Sequence, residues 1–119
     1  MDRLRQRADF LAVAKGARVS SPAFTVQSRR RDDLGPIRFG FTVSKTTGTA
    51  TERNRIRRRL RELVKRLDLM AMPPHSDYVL IGRPAALSRE FKTMLDDLRA
   101  ALNRLNRQTA KGRPATRTG

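Results

Sequence analysis

The stretch Thr49-Ala50-Thr51-Glu52-Arg53-Asn54-Arg55-Ile56-Arg57-Arg58-Arg59-Leu60-Arg61-Glu62-Leu63-Val64-Lys65-Arg66-Leu67 decides the architecture. Thr49 and Glu52 have the spacing of a capping box, a hydroxyl at the cap and a Glu three residues later. Ile56, Leu60, Leu63, Val64 and Leu67 follow at i, i+4, i+7, i+8 and i+11. That single apolar stripe predicts a helix laid on a core. With about 100° of turn per residue, Asn54, Arg58, Arg61 and Lys65 form one line on the far side. Arg55, Arg59, Glu62 and Arg66 form a second line beside it. Guanidinium groups crowded with so few acids repel one another unless an anion meets them. A merely solvated face is the plain alternative. Three features favour a phosphate-binding face instead: Arg in preference to Lys, clustering in the first turns, and few Glu partners at i,i+4. Arg binds phosphate oxygens two at a time and stacks on bases, and the positive helix end adds to the same field.

Composition agrees. The chain has 119 residues, enough for one domain with a modest core. Its 27 Lys and Arg against 11 Asp and Glu give a net charge of +16, which points to a polyanionic partner. No apolar run approaches the roughly 18 residues of a spanning helix, so a membrane is not expected. Met1–Arg7 lacks the apolar core of a secretory signal. There is no cysteine, which excludes disulfides and thiolate metal sites and fits a cytoplasmic location.

Around the arginine helix the chain reads as follows. Residues 1–6 are basic and unpatterned, expected as a loose arm. Arg7 to Lys15 form a short helix with Phe10, Leu11, Val13 and Ala14 on one side and Gly16 as its stop. Val19 to Pro22 read as a turn. Phe24, Val26 and Ser28 alternate with polar residues as a strand half buried at best. Arg30 to Pro36 read as a hairpin-type connection. Ile37, Phe39, Phe41 and Val43 alternate cleanly as the clearest strand. Paired prolines, Pro73 and Pro74, end the arginine helix. Tyr78 to Ile81 read as a strand covered on both faces. Leu87, Phe91, Met94, Leu95, Leu98, Leu102 and Leu105 make a closing amphipathic helix. The basic tail from 106 to 119 is expected to be disordered, leaving residues 1–105 as the domain. The fold class is α+β, a two-layer sandwich of a sheet with helices packed on it.

Bond-breaking machinery is missing. His75 stands in a loop without an acid at useful spacing. Asp96 and Asp97 diverge by about 100° on a helix, and Asp32-Asp33 is better explained by turn chemistry.

Gly40-Phe41-Thr42-Val43-Ser44-Lys45, followed by Arg53-Asn54-Arg55-Ile56-Arg57-Arg58-Arg59-Leu60-Arg61-Glu62, closely resembles the signature of the bacterial ribonuclease P protein family. Asp9-Phe10, the Phe24 strand, Tyr78 to Pro84 and the closing leucine helix fall in the family's order, so the likeness covers roughly residues 4–105. The resemblance implies an accessory subunit for a catalytic RNA that removes the 5′ leader of precursor tRNA. It also implies magnesium ions held by that RNA and no metal in the protein. The implied fold is a mixed sheet like that of ribosomal protein S5 domain 2, with a left-handed βαβ crossover around the arginine helix. By the same resemblance Arg53, Asn54, Arg55, Arg57, Arg58 and Arg61 contact the catalytic RNA. Phe10, Ala14, Gln27, Lys45 and Arg83 would line a cleft for the single-stranded leader. Ala14 and Gln27 stand where relatives often place an aromatic ring. Without the resemblance, Phe10 reads as a core residue. Rival readings are a small ribosomal protein, with the same basic face and no enzymatic complex, and a DNA reader. The Arg-Asn-Arg motif after a Phe-Thr-Val-Ser-Lys strand argues against the first, and the strand-first order argues against the second.

Overall fold

The computed structural model describes residues 2–112. Five strands form one mixed sheet: β1 (Asp2–Arg3), β2 (Ala17–Ser20), β3 (Phe24–Arg30), β4 (Arg38–Thr42) and β5 (Ser76–Gly82). Their spatial order is β1-β4-β5-β3-β2. The pairs β1/β4 and β4/β5 are parallel, and β5/β3 and β3/β2 are antiparallel. Helices α2 (Ala50–Lys65) and α3 (Phe91–Gly112) cover one face. The short α1 (Arg7–Ala14) covers part of the other.

The main core lies between the sheet and the two long helices. Phe24, Val26, Phe39, Tyr78 and Leu80 from the strands meet Ile56, Leu60 and Leu63 of α2 and Met94, Leu98 and Leu105 of α3, all buried. Each such side chain contributes about 1.5–3 kcal/mol by leaving water. The Phe39 and Tyr78 rings stack at 5.2 Å. A Cβ at Gly82 would fall 2.5 Å from Ile56 Cγ2, so glycine is what lets α2 lie this close to β5. On the opposite face Leu4, Val13 and Val79 form a smaller cluster. There the Phe10 ring rests on Gly40, whose Cβ would fall 2.5 Å from it.

The strand β4, helix α2 and strand β5 form a parallel crossover, and one hydrogen bond fixes its hand. In an extended L-chain running upward with a side chain toward the viewer, that residue's N–H and C=O point right. Seen from the α2 side, Phe39 faces the viewer and its carbonyl accepts from the Leu4 N–H at 2.9 Å. Therefore β1 lies right of β4, and β5 lies left. A chain that rises through β4, descends in front as α2 and rises again on the left is left-handed, against the usual preference.

Several expectations need correction. Residues 2–4 are not a loose arm, since two of them pair with β4 and Leu4 is buried. Two paired residues are too few to show a period. Ala17–Ser20, expected partly as turn, is an edge strand, and the turn follows it, closed by Ser21 N–H on the Phe24 carbonyl at 2.8 Å. The strand β3 is buried on both faces from Phe24 to Ser28 rather than half buried, because α1 lies over its polar side. Residues 31–37 are not a hairpin, for β5 lies between β3 and β4. In α1 only Val13 is buried, while Leu11 and Ala14 are exposed. The helix α2 ends at Lys65, ahead of the prolines. Tight bonds from the Arg66 and Leu67 N–H groups to the Leu63 and Val64 carbonyls close it. Leu87 belongs to a 3₁₀ turn, and α3 starts at Phe91. Residues 106–112, expected in a disordered tail, continue α3. Residues 113–119 lie outside the described ones.

Asp77, the second residue of β5, is fully buried. Arg38 Nε and Nη2 donate to its two oxygens, each at 2.8 Å, and Arg31 Nη1 donates to Oδ1. Arg38 Nη1 also faces Asp9 of α1 at 3.5 Å. Arg31, itself buried, donates further to the Pro36 carbonyl at 2.6 Å and to Asp33 at 3.0 Å. Asp77→Asn keeps the volume but removes the buried counter-charge of Arg31 and Arg38, leaving Arg31 only the exposed Asp33. We expect about 3–5 kcal/mol lower unfolding free energy in a urea titration. A loss under about 1 kcal/mol would show that the cluster is not a structural anchor.

Candidate nucleic-acid interface

The capping box predicted at Thr49 is present in both directions. Glu52 N–H donates to Thr49 Oγ1 at 3.1 Å, and Thr49 N–H donates to Glu52 Oε1 at 2.9 Å. It fixes the start of α2 just after the 3₁₀ turn Lys45–Thr47. From there the basic residues divide by what they touch. Arg53 Nη1 donates to the Gly48 carbonyl at 2.8 Å and to that of Lys45 at 3.4 Å, so it pins the entry loop. Arg57 donates to Asn54 Oδ1 at 3.0 Å. Arg59 reaches the connector before α3, donating to the Leu87 carbonyl at 3.0 Å and the Arg89 carbonyl at 2.7 Å. Arg66 lies 5.0 Å over the Phe91 ring. Lys65 holds Glu62 at 2.9 Å, and that bond pulls the Glu62 carboxyl below its ordinary value and keeps it ionised.

Three arginines of the motif remain. Arg55 and Arg58 are exposed and Arg61 half exposed, and none has a protein partner among the described residues. Of the two lines seen on the helical wheel, the one through Asn54, Arg58 and Arg61 stays open. The second is largely taken up by Arg59 and Arg66 in holding α2 to α3.

The residues matched to the leader cleft lie on the other side of the sheet or at its end. Gln27, 6% exposed, stands on β3 between Arg18 of β2 and Val79 of β5. Its carboxamide has no hydrogen-bond partner among the described residues. Phe10 is half buried on the same face, seated on Gly40. Lys45 and Arg83 are exposed and follow two adjacent parallel strands, so both leave the sheet at one end. Ala14, exposed, closes α1 near the opposite end, where Gly16 abuts the Ser28 carbonyl. From Ser28 to Phe24 along β3 is roughly 13 Å at strand rise. Phe10, seated on Gly40, and Gln27 thus share one face of the sheet on either side of Val79, with Ala14 toward one end of it and the Lys45–Arg83 pair at the other. Sequence reading missed Arg18, the exposed basic neighbour of Gln27, because the edge strand carrying it has in part the composition of a turn.

Among the described residues no three His, Cys, Asp or Glu side chains converge as a metal site. No helix among them is long and apolar enough to cross a membrane. His75 adopts φ 61 and its ring Nδ1 lies 2.6 Å from the Gly35 carbonyl, a tie between two loops.

The sequence profile of the Ribonuclease P family matches residues 1–106. The chain belongs to the ribonuclease P protein family. It is 46% identical over 103 residues to the ribonuclease P protein component of Gluconacetobacter diazotrophicus, spanning 86% of this chain and 89% of that one. To the component of Ruegeria pomeroyi it is 50% identical over 107 residues, spanning 87% and 85%. Among solved structures, the Staphylococcus aureus RNase P protein superposes with a TM-score of 0.71 at 28% identity, covering 87% of this chain and 94% of that one. The Thermotoga maritima protein superposes with 0.69 at 31% identity, covering 90% and 97%. Ribonuclease P is the ribonucleoprotein that matures tRNA 5′ ends, and this chain is of the family of its RNA-binding protein component.

The division among the arginines has a direct test in stability. Arg59→Ala removes two hydrogen bonds to buried-side carbonyls and should lower unfolding free energy by about 1–3 kcal/mol. Arg58→Ala should change it by no more than about 0.5 kcal/mol. Thermal or urea unfolding of the two variants reads the difference, and equal effects would undo the assignment.

Proposed function

We propose that the protein bridges two RNAs with the two faces of its sheet. The unpartnered arginines of α2, Arg58 and Arg61 on the open line and Arg55 beside it, dock with Asn54 and Arg57 on the catalytic RNA of ribonuclease P. The groove floored by Phe10 and Gln27 and flanked by Ala14, Lys45 and Arg83 receives the 5′ leader of precursor tRNA. Hydrolysis is left to magnesium ions held by the RNA, in the cytoplasm where tRNA is made. The observation that carries this reading is the set of guanidinium groups on α2 with no protein partner among the described residues, on the side of the sheet opposite the groove. Arg53 takes part mainly by holding the loop that presents the helix.

Leader binding here leans on charge more than on stacking. Phe10 offers one ring, partly engaged with Gly40, and neither Ala14 nor Gln27 adds another. The Gln27 carboxamide supplies one acceptor and donors for a base edge, and Lys45 and Arg83 supply phosphate contacts at one end.

Docking and leader capture separate experimentally. Arg58→Ala with Arg61→Ala should weaken binding to a bacterial ribonuclease P RNA. The log–log salt dependence should flatten by about 0.7–0.9 for each phosphate that is no longer neutralised. Unchanged affinity and slope would mean the ridge is only solvated.

Phe10→Leu keeps most of the side-chain volume and should weaken precursor tRNA binding to the holoenzyme more than mature tRNA binding. Gln27→Tyr should tighten the precursor selectively, by up to about 1–3 kcal/mol. Equal losses for both tRNAs in a folded Phe10→Leu variant would make Phe10 a packing residue alone.

A further inference from the structure

The strand β1 does more than close the sheet edge. Its register sets Arg3 opposite Phe39, so Arg3 belongs to the α2 face. Phe41, two residues beyond Phe39 on β4, belongs to that face too. Arg61 and Lys65 stand one turn apart on α2, across from them. These four residues line a hollow of about 280 Å³ between β1 and α2, near the lower end of the range for ligand pockets, roughly 300 Å³ and up.

Its chemistry is unlike the rest of the core. Phe39 is fully buried, whereas Phe41 on the same strand face is only half buried. Three cations line the hollow with the Phe41 ring, and among the described residues no carboxylate does. Glu62, the acid paired with Lys65, stands outside it. Neither Arg61 nor Lys65 caps the ring, in contrast to Arg66 over Phe91. Arg61 has no protein partner among the described residues. An apolar ligand would make no use of the charges, and a bare phosphate would leave the ring unused. A nucleotide answers both, through its flat base and its anion.

We infer that this hollow is a subsite for a single unstacked nucleotide of the docked RNA. The base lies against Phe41, and Arg61, Lys65 and Arg3 hold the adjoining phosphates. The inference rests on the docking of α2 proposed above and names a contact that docking by charge does not require.

The test uses the full-length protein and a bacterial ribonuclease P RNA transcript. Phe41→Leu removes the ring and no charge, so affinity should fall about five- to a hundredfold, as for loss of one base stack. The salt dependence should keep the wild-type slope, because every phosphate remains neutralised. Phe41→Trp should retain affinity. The chain has no tryptophan, so the introduced indole reports alone, and its emission should be quenched saturably as RNA binds. Arg58→Ala, outside the hollow, serves as the docking control. If Arg58→Ala flattens the salt slope while Phe41→Leu, with its melting transition intact, binds like wild type, docking stands and the subsite is overturned. An indole emission unmoved at saturating RNA overturns it equally, including where Phe41→Leu fails to fold. If wild-type protein binds the transcript no better than Arg58→Ala, and with the same slope, the docking reading itself is lost.

Discussion

A single buried carboxylate ties the architecture together. Asp77 sits without solvent near the start of β5, and the guanidinium groups of Arg31 and Arg38 reach it from the β3–β4 connector and from β4. Through Arg38 the cluster extends to Asp9 on α1. Four chain segments are therefore referenced to one point. Desolvating these charges is costly, and their attraction does little more than repay it. The gain is specificity of arrangement, because an alternative placement of β5 would take the carboxylate away from the buried Arg31 and the half-buried Arg38. The hydrogen bonds that Arg38 donates to Asp77 raise the proton affinity of its guanidinium above the ordinary value.

The same residue type does two kinds of work on α2. Arg59 binds main-chain carbonyls of the connector and Arg66 covers a ring, so both hold α2 against its neighbours. Arg53 fixes the loop that feeds the helix. Arg55, Arg58 and Arg61, interleaved with them on the helix, have no hydrogen bond, ion pair or ring contact with the protein among the described residues. The planar fork suits both tasks, since a carbonyl oxygen and a phosphate oxygen present similar acceptors to it. What separates the tasks is only whether a carbonyl lies within reach.

How much of this was legible in the sequence depended on the length of each pattern. The arginine helix was, to the residue at its cap, because a capping box and five apolar positions over three turns leave little alternative. The strand β4 was legible from its alternation and β5 from its continuous apolar run. The two edge strands were not. Arg18 and Ser20 give β2 a polar outer face with little besides Val19 to mark it, and β1 is two residues long. The position of β5 between β3 and β4 was also hidden, since Arg31 to Pro36 has the composition of any tight connection. For the interface, the motif identified the helix, but the wheel could not tell Arg58 from Arg59. That difference arises from where the Leu87 and Arg89 carbonyls fall, which is a tertiary fact. Phe41 reads as core by alternation, and only the placement of Arg3 opens the space beside it.

The insertion of β5 between two strands made much earlier has a cost in time. Arg31 and Asp77 are 46 residues apart, and at 5–20 residues per second a ribosome needs roughly 2–9 s to cover that interval. For most of that interval, once Thr42 has been added, β3 and β4 have both been made, yet each lacks the partner that will separate them, and their unsatisfied backbone edges are open to wrong pairing. The local contacts of α2 form in well under a millisecond, but a helix this short depends on the sheet beneath its apolar face. The nascent chain thus offers polyanions its basic segment on an unfinished scaffold, and the arrival of Asp77 is the event that closes the interior.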